Sequence, residues 1–101
     1  MSSVSLHVTA IRFEFSLPNA HSLKEKRHSV KRFKDRARNQ FNVSVAEVGD
    51  LDLWQRASIA VVCAGSDGGY LDGLREELIR FAENQPEMLL VDVVTEHLTA
   101  E

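Results

Sequence analysis

An α+β domain, with two helices laid on one face of a four-stranded antiparallel sheet, is what this sequence predicts, and three observations predict it. Two segments repeat their apolar residues at helical spacing: Leu23, Val30, Phe33 and Ala37 in one, and Leu71, Leu74, Leu78 and Phe81 in the other. Four segments of strand length are rich in Val, Ile, Ala and Phe, and turn residues bound them. The order is strand, helix, strand, strand, helix, strand, with a short polar connection between the middle two strands. That order fits the split βαβ, ferredoxin-like βαββαβ sandwich, in which helical crossovers flank one hairpin.

The first strand spans Val4 to Phe15. Its two alternating sets, Val4, Leu6, Val8, Ala10 and His7, Thr9, Ile11, Phe13, Phe15, are both partly apolar. This suits a strand buried partly on both faces or one bulged near Ala10. Pro18 and Asn19 then break the chain. Ser22 opens the first helix with a capping box, its hydroxyl accepting from the Glu25 amide and the Glu25 carboxylate reaching back to the Ser22 amide. The helix runs to about Asn39. Lys26 falls on its apolar stripe, where the stem is expected to pack while the ammonium snorkels out to water.

Asn42 to Val48 and Ala57 to Cys63 read as a hairpin, in a register that puts Val43 and Val45 on one face with Ile59 and Val61. Gly65 to Gly69 form a turn into the second helix, which ends near Asn84. Gly68, Gly69 and Gly73 make its first turns the softer part, since glycine costs about 1 kcal/mol against alanine in a helix. Pro86 separates it from a last strand, Met88 to Leu98.

At 101 residues the chain forms one domain, residues 1–101. One cysteine, Cys63, excludes an internal disulfide, and its apolar surroundings suit a buried small hydrophobe. No apolar run spans a bilayer and the N-terminus has no signal-peptide pattern, so a soluble cytoplasmic protein is expected. His7, His21, His28 and His97 show no ligand spacing, so no metal or cofactor is expected. No phosphate loop, nucleophile elbow or triad order occurs, and no enzymatic activity is expected.

Several stretches carry a family resemblance: Ser22-Leu23-Lys24-Glu25-Lys26-Arg27, Phe41-Asn42-Val43-Ser44-Val45-Ala46-Glu47-Val48, Asp52-Leu53-Trp54-Gln55-Arg56-Ala57 and Val91-Asp92-Val93. In this order they resemble the YlxP-like family of small bacterial proteins, a domain of unknown function. The resemblance implies a ferredoxin-like fold and names no catalytic residue. It also implies a gene neighbourhood of a transcription elongation factor, a translation initiation factor and ribosome-binding factor A, hence a role near RNA or the ribosome. Family members carry more helix-favouring residues where this chain has Gly68, Gly69 and Gly73.

The net charge of -3 hides an asymmetry. Residues 21–40 hold eight basic and two acidic side chains, and the rest of the chain holds four basic and thirteen acidic. Lys24, Arg27, Lys31, Lys34 and Arg38 fall within about 80° on a helical wheel, beside the apolar stripe. Three readings suit them: a solvated face balanced by acids that the fold brings near, a docking surface for phosphates with ribosomal RNA as the natural candidate, or a receptor for an acidic protein. The sheet does not suit the RNA-recognition-motif mode, because its third strand carries no aromatic to stack a base. Ala46, Val48, Ala60 and Val62 would make the open sheet face apolar enough to be covered by a second copy of the chain. Glu47, Trp54 and Arg56 form a secondary candidate site. A structural role for them is that Trp54 covers the end of the core, Arg56 finds a carboxylate, and Glu47 takes a partner at the core rim.

Overall fold

The computed structural model describes residues 3–100. It contains β1 (Leu6–Ser16), α1 (Leu23–Gln40), β2 (Ser44–Gly49), β3 (Arg56–Gly65), α2 (Gly68–Glu83) and β4 (Leu89–Ala100). The strands form one sheet in the order β2-β3-β1-β4, and every neighbouring pair is antiparallel. This is the expected α+β, βαββαβ arrangement.

β1 is buried fully on one face and partly on the other, as its two apolar sets require. Ile11, Phe13 and Phe15 lie in the core, while Val8 and Ala10 are half-buried on the opposite face and Leu6 is exposed. There is no bulge near Ala10: β1 pairs with β3 without a break from His7↔Gly65 to Ser16↔Arg56. The irregularity lies in β4, where Glu14 faces Asp92 but Phe15 faces Leu90, so Val91 is the extra residue. A second shift, between Glu47 and Gly49 in β2, leaves Val48 unpaired in the same way. Upstream of it Val45 lies opposite Val61 and Glu47 opposite Ile59, as the hydrophobic pattern requires.

The core joins α1 and α2 to the β1 and β3 faces. All five phenylalanines connect: Phe33 packs edge-on against Phe13 and Phe15 with ring centroids 6.3 and 5.3 Å away, and Phe81 links Phe33 to Phe41 at 5.4 and 5.5 Å. Edge-to-face aromatic pairs of this kind contribute about 0.5–1.5 kcal/mol each beyond area burial.

Ser22 caps α1 as expected, its hydroxyl accepting from the Glu25 amide at 3.1 Å. The Glu25 carboxylate reaches one residue further back than expected and accepts from the His21 amide at 3.0 Å. α2 is regular from Gly68 onward, because Asp67 caps it and accepts from the Gly69 amide at 3.0 Å. Asp50 and Glu87 adopt left-handed backbone, φ 57° and 72°. Such strain costs a non-glycine residue about 1–2 kcal/mol, and at Glu87 it is held by two partners on α1. Ser29 donates to the Glu87 carboxylate at 3.0 Å, and Arg32 forms an ion pair with it.

Candidate functional site

α1 presents three faces. The inner face carries Lys26, Val30, Phe33 and Ala37, all buried. One flank turns toward the α2–β4 connection, where Glu87 takes Ser29 and Arg32 and the Gln85 side chain accepts from Arg36 at 3.3 Å. The other flank carries Lys24, Arg27, Lys31, Lys34 and Arg38.

The five basic residues of that flank are not equivalent. Lys31 forms an i,i+4 ion pair with Asp35 at 2.7 Å. The hydrogen bond from its ammonium holds the Asp35 carboxyl below the usual carboxylate range; desolvation opposes this, and the charges of Lys31, Arg38 and Lys34 add smaller lowering effects. Arg38 folds over β2 and donates to the Val45 carbonyl at 3.1 Å. Lys24, Arg27 and Lys34 make no hydrogen bond or ion pair among the described residues. An open groove of about 950 Å³ runs over the N-terminal half of α1, lined by Lys24, Arg27, His28, Lys31 and Arg32 together with the carboxylates of Glu25 and Glu87, and with Leu17 and Ala20 of the segment before the helix at one end.

Lys26 departs from expectation. Its ammonium does not snorkel. The side chain is fully buried, and Nζ lies 2.6 Å from Glu47 Oε2 and donates to the Asp50 carbonyl at 2.7 Å. Among the described residues Glu47 Oε2 accepts no hydrogen bond, so its contact with the ammonium is chiefly electrostatic. Glu47 therefore finds its partner inside the protein, and its carboxylate is already engaged.

Trp54 and Arg56 also differ from the structural role expected of them. Trp54 does not cover the core; it is 52% exposed, as are its neighbours Leu51 and Leu53 at 55% and 50%. Arg56 is exposed and pairs with no carboxylate among the described residues. Gln55, which sequence reasoning passed over, holds this loop in place. Its side-chain amide donates to the Pro18 and Ala20 carbonyls at 3.2 Å each, and its backbone carbonyl accepts from the Leu17 amide at 2.9 Å. The Leu51–Trp54 tip is thereby pinned beside the segment that precedes α1.

The open sheet face carries Ser44 and Ala46 from β2, Ser58, Ala60 and Val62 from β3, and Val8, Ala10, Arg12 and Glu14 from β1. None is aromatic, and Phe13 and Phe15 face the core, so the sheet offers no base-stacking platform. Burial pushes the Cys63 thiol up from its ordinary value, against a smaller opposite effect of its contact with the Thr9 carbonyl, so it stays a protonated, inert thiol. Among the described residues no group of three or more His, Cys, Asp or Glu side chains is placed to hold a metal ion. No helix among them is long and apolar enough to cross a membrane.

The family model described as "Protein of unknown function (DUF503)" matches residues 8–95. The chain belongs to the DUF503 family. A relative, "Uncharacterized protein YlxP" of Bacillus subtilis (strain 168), is 37% identical over 70 residues, which span 69% of this chain and 76% of that protein. Among solved structures, the de novo designed protein Foldit4 is similar over 95% of this chain and 97% of its own, with 15% identity and a TM-score of 0.48. DUF503 membership assigns no activity, so any function must be argued from the side chains.

Proposed function

We propose that this protein is a non-enzymatic accessory protein of the cytoplasm that docks on RNA, with ribosomal RNA or a ribosomal particle as its target, through the basic flank of α1. One observation carries this reading. The fold brings partners to Lys26, Arg32, Arg36 and Arg38 and the helix supplies one to Lys31, yet Lys24, Arg27 and Lys34 are left without any among the described residues. Like charges at three- and four-residue spacing repel by a few tenths of a kcal/mol per pair, so folding gains nothing from them. A phosphate backbone would relieve that repulsion and give affinity without sequence readout. The gene neighbourhood implied by the family resemblance points the same way.

The test is fluorescence anisotropy of the purified protein with a structured ribosomal RNA fragment, beside an unrelated RNA, at low and near-physiological salt. Binding that persists at physiological salt and favours the ribosomal fragment is the expected result. Equal binding to both RNAs, vanishing with salt, would reduce the flank to a non-specific polyanion surface and overturn the ribosomal assignment.

A second reading, a homodimer through the open sheet face, is favoured by the exposure there of Val62, Val94, Leu98 and Leu6. In such a dimer α1 stays free to meet an acidic protein. A glutamate at position 60 would lie opposite Arg12 and be neutralised by it. Val62→Glu, flanked by Ala10 and Ser44, is the cleaner probe. A dimer in sedimentation velocity that becomes monomeric in Val62→Glu is expected of this reading; a monomeric parent, or a variant that sediments as its dimeric parent does, rejects it.

A further inference from the structure

The loop from β2 to β3 holds apolar side chains out in water. Asp50 turns it sharply with left-handed backbone, and its carbonyl accepts from the Leu53 amide at 3.0 Å and from the Lys26 ammonium at 2.7 Å. Gln55 ties the other end to the segment before α1, through the Pro18 and Ala20 carbonyls and the Leu17 amide. Between these two anchors stand Leu51, Leu53 and Trp54, all exposed and none part of the core. Turns ordinarily carry Gly, Asn, Asp or Ser, so three apolar residues in four are a surplus that folding does not use.

The loop opens at the foot of the basic flank. α1 and β2 pass each other in opposite directions: Lys26, near the start of the helix, meets Asp50 just past the end of β2, and Arg38, near the end of the helix, meets Val45 near the start of β2. Arg38 belongs to the basic flank, so that flank is the one turned toward β2, and the chain that leaves β2 emerges at its N-terminal end. Surfaces that hold unpaired nucleotides combine the same two features, cations for the phosphates and an aromatic face on which a base stacks. The sheet supplies no such face, since Phe13 and Phe15 are buried. Asp52, exposed between the two leucines, repels phosphate and resists entry into lipid, so the tip suits a base while the phosphates stay on α1.

We propose that Trp54 stacks an unpaired base of the RNA whose phosphates lie on the basic flank, so that the ligand of this surface is RNA with an unpaired nucleotide beside a structured segment, not a continuous duplex. This rests on the docking reading above and adds the chemical class of its target. Stacking tolerates any base, because every base has a π face, and it releases no counter-ions. Trp54 thus sets which RNA shape is held, and the cations set how binding answers to salt.

The test uses three RNAs: a hairpin with a short single-stranded extension, the same hairpin with a blunt end, and the same extension made abasic. Anisotropy of labelled RNA reads binding, and the emission of Trp54, the chain's one tryptophan, reads stacking with unlabelled RNA. The extended hairpin should quench Trp54 saturably and bind about 5- to 150-fold more tightly than the blunt or abasic forms, the range of one base on one aromatic ring. Trp54→Ala should erase that preference while leaving the blunt hairpin bound as before and the slope of log affinity against log salt unchanged. Trp54→Phe should keep part of the preference. The abasic comparison uses the parent protein and does not depend on how a variant folds. If no RNA binds the parent, the docking reading falls and this inference with it. If RNA binds but Trp54 stays unquenched, or the three RNAs bind equally, or Trp54→Ala keeps the preference, the stacking role falls alone and the docking reading stands. A blue shift of Trp54 emission on anionic phosphatidylglycerol vesicles, without quenching by RNA, would assign the tip to a membrane surface and likewise overturn stacking.

Discussion

Replacing Lys26 with Met is expected to destabilise the protein by about 3 kcal/mol, the lower end of the roughly 3–5 kcal/mol that follows when one partner of a buried ion pair is removed. Met preserves the packing of the stem, so the loss isolates the charge. It leaves Glu47 Oε2 buried without its counter-ion and the Asp50 carbonyl without its donor. The lower end applies because the Glu47 side chain keeps 15% of its surface in contact with water. In a domain of this size 1 kcal/mol shifts Tm by about 4–8 °C, so a fall of about 12–24 °C is expected in thermal unfolding. The double variant Lys26→Met/Glu47→Leu should recover most of it, because two well-packed apolar groups replace a buried ion pair at little cost. A single variant within about 0.5 kcal/mol of the parent, the range of an ordinary surface change, would show that the ammonium reaches water in solution.

The second large effect concerns RNA. Sequence alone would select Lys24, Arg27 and Lys31 for charge reversal. The structure replaces Lys31 with Lys34, because Lys31 is already paired with Asp35. Each phosphate contact contributes about 0.7–0.9 to the slope of log affinity against log salt, so losing three should flatten that slope by about 2–3. Referred from 1 M to near-physiological salt, this amounts to a loss of affinity on the order of 100-fold for Lys24→Glu/Arg27→Glu/Lys34→Glu. Stability should stay within about 0.5 kcal/mol of the parent, since none of the three makes a contact that folding uses. The same anisotropy titration reads both quantities. If the triple variant binds as tightly as the parent, the docking surface is elsewhere.

What was legible in the sequence was whatever repeats locally. Helical and strand periods placed all six elements, and the capping box placed the start of α1. The hairpin register followed from the requirement that Val45 and Val61 share the core. What was not legible depends on where a side chain's tip ends after long-range pairing. Lys26 sits on the apolar stripe in either case, but only the packing of β2 decides that Glu47 waits at the end of its stem. Gln55 looks like an ordinary polar loop residue until Pro18 and Ala20 are brought beside it. His7 and His97 have no spacing to read, yet the register of the two outermost strand ends joins them by a hydrogen bond between strands, with Nδ1 of His7 3.1 Å from Nε2 of His97. The surplus of the basic flank was visible in the sequence as five residues. Which of them have partners was decided by Asp35 within the helix and by the Val45 carbonyl across on β2.

All four lysines of the chain lie on α1, and one of them, Lys26, is sealed from solvent. At side-chain amines, amine-directed reagents therefore label a single helix of this protein. In the native state they should modify Lys24, Lys31 and Lys34 and spare Lys26, which becomes reactive only on unfolding. Mass spectrometry of the labelled protein then reads two things from one sample: the sealed lysine reports loss of the fold, and the three open ones report whatever covers the basic flank.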